Sequence, residues 1–233
     1  MPRIARLVVP GYPHHVTQRG SRRQKTFFYD ADYRLYTRLI ARYAIAAHTE
    51  IWAYCLMPNH VHLVLMPTKE FGLKIPLAEV HRRYAITINT REGWRGHLWQ
   101  ERFHSFVMDE PYLHATVRYV ERNPVAAGLC DRAEQWPWSS ARAHIEGVDD
   151  GTVTVQPMLA RVGDWRGYLD SESPAEELAT IRKHQRTGRP LGDASFIEEL
   201  EAVTGLMLKR KKPGPRPNAG GGGERHNRSS GVK

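Results

Sequence analysis

The sequence predicts an α+β protein: a ferredoxin-like antiparallel sheet with helices on one face, then a small C-terminal helical extension. Three observations carry this. In residues 57–66, MPNHVHLVLM, Val61, Leu63 and Leu65 alternate with His60, His62 and Val64, the period-two pattern of a half-buried strand. The turn chemistry of Met57-Pro58-Asn59 joins that strand in a hairpin to the strand-forming run at 50–56, EIWAYCL. The order along the chain is strand, helix, strand, strand, helix, strand, helix, which is a split β-α-β arrangement.

Each element has a local cause. Residues 12–19, YPHHVTQR, read as the first strand, ended by Gly20 and a basic loop through Lys25. Asp30 is positioned to cap a helix whose apolar stripe is Leu35, Leu39, Ile40, Tyr43 and Ala47. Pro76 suits the first turn of a second helix that buries Leu77, Val80, Tyr84 and Ile88, with Gly93 and Gly96 at its end. Residues 98–108 read as a fourth strand. Asp109 or Glu110 caps a third helix with Leu113, Val117 and Val120 as its packed stripe, and Pro124 stops it. A short closing segment begins at Trp136-Pro137-Trp138-Ser139-Ser140. With helices on one face, the other face of the sheet is expected to stay open, with His60 and His62 on it or at its edge.

Periodicity fails after this body. Residues 1–147 are therefore expected to form the main domain, and 148–173, rich in Gly, Asp and Thr, a linker. Residues 174–208 form a helical extension with capping boxes at Ser173-Pro174-Ala175-Glu176 and Ser195-Phe196-Ile197-Glu198, around the turn TGRPLG at 187–192. Residues 209–233 are a basic, glycine-rich tail, disordered by composition. The net charge of +9 is unevenly spread: +7 over 1–148, −5 over 149–208 and +7 over the tail. Two basic blocks around an acidic one point to a nucleic-acid partner. No apolar run approaches the roughly 20 residues of a membrane helix, and the first residues lack the apolar core of a signal peptide. Cys55 and Cys130 are too few for a disulfide framework, so a reducing cytoplasm is expected.

Two same-face histidines on one strand form a preset grip for a divalent metal. Tyr119 lies on the third helix with Asn123 one turn later, flanked by Arg118 and Arg122. Taken singly, each is better explained as ordinary packing. Taken in order, MPNHVHL, GHLWQERFHS, RYVERNPVAAGL and WPWSS are much more specific. From about residue 12 to 144 they resemble the HUH single-tyrosine transposases of the IS200/IS605 type, above all the REP-associated tyrosine transposases.

That resemblance implies a division of labour. His60 and His62 would bind Mg²⁺ or Mn²⁺, with the Asn123 side-chain oxygen as third ligand. Tyr119 would be the nucleophile, forming a 5′-phosphotyrosine and freeing a 3′-hydroxyl. A free tyrosine titrates near 10, so activation is needed, from the metal, Arg118 or Arg122. The implied substrate is single-stranded DNA folded into REP-like palindromic hairpins. Its phosphates would be held by Arg19, Arg22, Arg23, Arg102, Arg118 and Arg122, with Lys211 and Lys212 in the tail. Ala126 stands where relatives often carry arginine. His14 and His15 point to opposite faces of their strand, so at most one joins the site, and neither is assigned to it. A monomer and a homodimer both remain open. The competing reading is a hairpin-binding regulator of the same fold without cleavage. An RNA-recognition sheet is set aside, because the histidine strand offers no aromatic platform.

Overall fold

The computed structural model describes residues 6–209. Four strands make one sheet: β1 (His14–Arg19), β2 (Thr49–Met57), β3 (His60–Pro67) and β4 (His104–Val107). Their order is β2-β3-β1-β4, antiparallel throughout, as the split β-α-β pattern requires. The hairpin turns at Pro58-Asn59, where Met57 pairs with His60. The fourth strand is shorter than its sequence suggests. Residues 98–103 run as coil, with Trp99 bridged to Gly20.

α1 (Asp30–Ala46) and α2 (Lys74–Glu92) cover one face. Leu77, Val80, Tyr84 and Ile88 are fully buried, as their spacing predicts, against Val16, Leu63 and Leu65. The stripe of α1 is rotated from the expected one: Tyr33, Tyr36, Ile40 and Ala44 face inward, with Leu35, Leu39 and Tyr43 at the margin. Aromatic packing decides this. Phe27 stacks on Tyr33 at 4.5 Å and meets Tyr84 at 5.2 Å, and such rings bury more area than leucines would. Asp30 is the first helical residue and not the cap. Asp32 accepts from the N–H groups of Phe28 and Tyr29 and pairs with Arg91 of α2.

The opposite face is not open. α3 (Glu110–Glu121), capped by Asp109 accepting from Tyr112 N at 3.0 Å, crosses it directly after β4. Leu113, Val117 and Val120 pack there on Cys55, Met57, Val64 and Phe106. Left open, that row would be an exposed apolar patch of the kind soluble chains avoid. After α3 come α4 (Asn123–Ala126), which contains Pro124, and α5 (Ala141–Glu146). Between them, Ser139 bridges to Cys55 at the edge of β2.

The segment expected as a linker is packed. α6 (Gln156–Leu159) and α7 (Trp165–Asp170) place Met158, Trp165 and Leu169 in this second core. Its lack of period comes from turns closed by side chains. Asp150 accepts from Thr152 N and Val153 N, Asp149 accepts from Val155 N, and Thr154 N bonds to Ile51 O of β2.

α8 (Ala175–Thr187) and α9 (Ala194–Thr204) form the extension, and it is continuous with the body. Ile181 is buried in the second core, while Phe196 and Leu200 close a third small core with Leu7, Val9 and Val107. The TGRPLG turn lays Leu191 along the outer edge of β4, with Leu191 N donating to Val107 O at 2.8 Å. The cap of α9 is Asp193, which accepts from Phe196 N at 2.8 Å, rather than Ser195. No helix among the described residues is long and apolar enough to cross a membrane.

Candidate active site

The face covered by α3 carries the histidines. β1 and β3 pair with Thr17 opposite His62 and Arg19 opposite His60. Alternation then puts His15, Thr17, Arg19, His60 and His62 on that one face. The rings of His60 and His62 stand 4.9 Å apart at 75°. His60 is half-buried and His62 buried.

Hydrogen bonding fixes what His60 can offer. Asn59 Nδ2 donates to Arg23 O at 3.0 Å, so the amide oxygen is the atom that meets His60 Nδ1 at 2.6 Å. An amide oxygen only accepts. The proton therefore sits on Nδ1, and Nε2 of His60 keeps its lone pair. His62 Nδ1 lies 3.0 Å from His15 Nε2, with the two rings stacked at 5.2 Å. Nε2 of His62 is buried and has no hydrogen-bond partner. Buried polar atoms left unpaired are rare and ask for an explanation.

Burial holds all three imidazoles in the neutral form, the one that binds cations. It lowers His15 to about 3. It lowers His60 to about 4, with the Arg19 charge adding to the effect. Burial also pushes His62 well below the usual range, helped by His60, His15 and Arg19. His14, on the other face, is held by its neighbours instead: Nδ1 meets Tyr12 O at 2.8 Å and Nε2 accepts from Val9 N at 3.1 Å.

Tyr119 descends onto this group from α3. Its ring stands 5.6 Å from that of His62 at 89°, and 6.3 Å from that of His15 at 85°. Asn123 lies just beyond the helix end, where Nδ2 donates to Tyr119 O at 2.9 Å. That satisfies one of the carbonyls a helix end leaves open, and the amide oxygen remains as an acceptor. Among the described residues no group of three or more His, Cys, Asp and Glu side chains could hold a metal ion.

Residues 9–123 match the family described as "Transposase IS200 like". The match runs from ahead of β1 to Asn123 and holds His15, His60, His62 and Tyr119 alike. By this match the segment is similar to the IS200-like transposases. The chain is similar to a putative REP-associated tyrosine transposase of Haemophilus influenzae (strain ATCC 51907 / DSM 11121 / KW20 / Rd). The two are 26% identical over 102 residues, which cover 39% of this chain and 58% of that relative. The chain thus spans little more than half of that relative's length. A solved structure of a REP-associated tyrosine transposase bound to a REP hairpin has the same fold. Its TM-score is 0.54 at 19% identity, covering 66% of this chain and 92% of the other.

The arginines around this centre fall into two groups. Arg19, Arg22 and Arg23 are exposed beside the histidine hairpin. Their loop is tied to it by Gly20 N donating to Asn59 O at 2.9 Å. A Cβ on Gly20 would come within 2.5 Å of Gln24 O, so only glycine lets this loop close. Arg118 and Arg122 do not stand free beside the tyrosine. Arg118 donates to Ser171, Ser173 and Glu177, and Arg122 donates to Leu169 O and Ser171 O. Both fasten the 169–177 segment onto α3, whereas the sequence offers them as phosphate ligands. Arg102 lies elsewhere, in a groove of about 770 Å³ with Arg6, Lys74 and Arg82 beside α2. Trp99 is buried and packs in the first core. Lys211 and Lys212 lie outside the described residues.

Sequence reasoning passed over His15 and Asn59. Asn59 was legible only as turn chemistry. His15 had a usable signal: in the split β-α-β order β1 lies beside β3, so one of its two histidines must share the face of His60 and His62.

Proposed function

We propose that the chain is a metal-dependent endonuclease and strand transferase for single-stranded DNA. It would act on palindromic hairpins through a 5′-phosphotyrosine at Tyr119. The observation that carries this reading is the approach of Tyr119 to His62, 5.6 Å between ring centres, on the strand that also presents His60. The substrate class is taken from the REP hairpin in the structurally similar transposase.

The donor set fits a divalent cation. Nε2 of His60 has its lone pair free of the Asn59 bond, Nε2 of His62 is buried and unpartnered, and Asn123 adds an amide oxygen. With phosphate oxygens and water filling the other positions, such a shell suits Mg²⁺ or Mn²⁺. Bound there, an ion would supply charge withdrawal from the scissile phosphate. Tyr119 supplies the nucleophile: its oxygen forms a bond to phosphorus as the bond from phosphorus to the 3′-oxygen breaks. The tyrosine proton is lost and the leaving 3′-oxygen gains one, so the products are a 5′-phosphotyrosine and a 3′-hydroxyl. Because the covalent link conserves the phosphodiester, a 3′-hydroxyl can attack it and rejoin the strand without a nucleotide cofactor. Arg19, Arg22 and Arg23, clustered at the hairpin of the site, hold flanking phosphates.

The test is denaturing electrophoresis of end-labelled single-stranded hairpins with the full chain, with and without Mn²⁺. A protein–DNA adduct that needs both hairpin and Mn²⁺ is expected. Tight hairpin binding with no adduct under any metal condition would leave the regulator without cleavage as the reading. The double replacement of His60 and His62 by Ala should abolish the adduct and leave hairpin binding largely intact.

A further inference from the structure

We propose that His15 is a positioning residue that holds His62 in the tautomer protonated on Nδ1, keeping Nε2 of His62 as the ligand atom. The proposal deepens the metal-site reading above and rests on it. Two neutral imidazoles that meet nitrogen to nitrogen share one proton between them, and their tautomers are locked together. His62 Nδ1 and His15 Nε2 are 3.0 Å apart, so either Nδ1 of His62 donates or it accepts. If it accepts, Nε2 of His62 carries a buried hydrogen with no partner and cannot bind a cation. If it donates, the buried hydrogen without a partner falls on Nδ1 of His15 instead, while Nε2 of His62 presents a lone pair for which a bound cation is the missing partner. His60 shows the same arrangement already decided, since the Asn59 amide oxygen leaves its ring no choice. The two ligands are thus each braced through Nδ1, one by Asn59 and the other by His15.

His15 is itself well held. It stands edge-on to Phe106 at 5.2 Å and stacks on His62, on a strand paired on both sides. A ligand braced this way has its ring plane and its proton set before the ion arrives.

The tautomer is read directly by long-range ¹H–¹⁵N correlation on the metal-free full chain. Nδ1 of His62 should be the protonated, pyrrole-like nitrogen, and a proton on Nε2 would overturn the proposal. Two variants add a binding readout. His15→Phe keeps a ring against Phe106 but removes the acceptor, and Mn²⁺ affinity, followed by the EPR signal of free Mn²⁺, should fall about 10–100-fold. His15→Gln offers an amide oxygen where Nε2 was and should restore most of that affinity. Equal Mn²⁺ binding by the folded Phe variant, or no recovery in the Gln variant, sinks the positioning role. If wild type binds no Mn²⁺, the metal reading fails, while the tautomer result still decides what His15 does. Should the Phe variant not fold, the wild-type tautomer and the Gln variant carry the decision.

Discussion

The acceptor-only oxygen of Asn59 and the lone nitrogen of His62 show how few atoms define this site. The nucleophile is tested at the same scale. Tyr119→Phe removes one oxygen from a partly buried ring and leaves its edge-on contacts with His62 and His15 possible. It should bind hairpin DNA as wild type does and form no covalent adduct. Labelling each DNA end in turn checks the polarity. The fragment that travels with wild type should be the one whose new 5′ end lies at the cut, so a label at the 3′ end of the DNA moves with the protein. The released fragment should carry a 3′-hydroxyl that a polymerase extends. Attachment of the other fragment, or full adduct formation by the Phe variant, would remove Tyr119 from this role.

Among the elements, α3 joins the chemistry to the C-terminal third. Its outward arginines fasten the turn before α8, and Glu121, fully buried, accepts from Ser140, His144 and Trp165. A helix tied at so many points is a firm mount for Tyr119. Arg118→Ala removes three donors from a guanidinium that is 15% exposed, and should cost about 1–3 kcal/mol. The expected sign is a lower urea midpoint with faster amide exchange across 171–177. An unchanged exchange pattern would show that the segment holds itself in place. The α3 stripe Leu113, Val117 and Val120 was legible by spacing, yet the face it covers was not. A helical period says which side is buried and nothing about which surface buries it.

For the whole molecule, deleting the segments after residue 147 should be severe. Met158, Trp165, Leu169 and Ile181 all close the second core, and large side chains lost from a core cost roughly 2–5 kcal/mol each. A chain ending at Gly147 should be aggregated or molten, seen as lost near-UV dichroism, whereas one ending at Leu208 should fold. That longer truncation removes eight basic residues and one acidic. It should bind hairpin DNA more weakly and with a shallower salt slope, yet still form the adduct at saturating DNA. Acid sensitivity is also a property of the entire fold. His14 is lowered to about 4 and His15 and His81 to about 3, chiefly by burial. Unfolding restores them towards 6.5, so below that pH the unfolded chain binds more protons and stability falls as pH falls. The loss should run from about pH 6.5 to about pH 4 for His14 and to about pH 3 for His15 and His81, and flatten below those values. Each group can contribute about 1.4 kcal/mol per pH unit in that window. His81→Gln should flatten the pH dependence of the urea midpoint by one such share.

By itself the sequence determined what depends on neighbours in the chain. Period two set β3 and its paired histidines, a stripe at three and four set α2 and α3, and a four-residue spacing tied Asn123 to Tyr119. These hold because backbone geometry repeats over a few residues whatever lies across from it. Tertiary structure alone decided the partners. Passage off the edge strand β4 carried α3 to the second face, and the register of β1 on β3 brought His15 to His62. The same packing tied Arg118 and Arg122 to the 169–177 segment and set Met158, Trp165 and Leu169 of the aperiodic 148–173 stretch into the second core. Those outcomes rest on contacts between segments dozens of residues apart, settled by which apolar surfaces must be covered and which buried polar atoms must be satisfied.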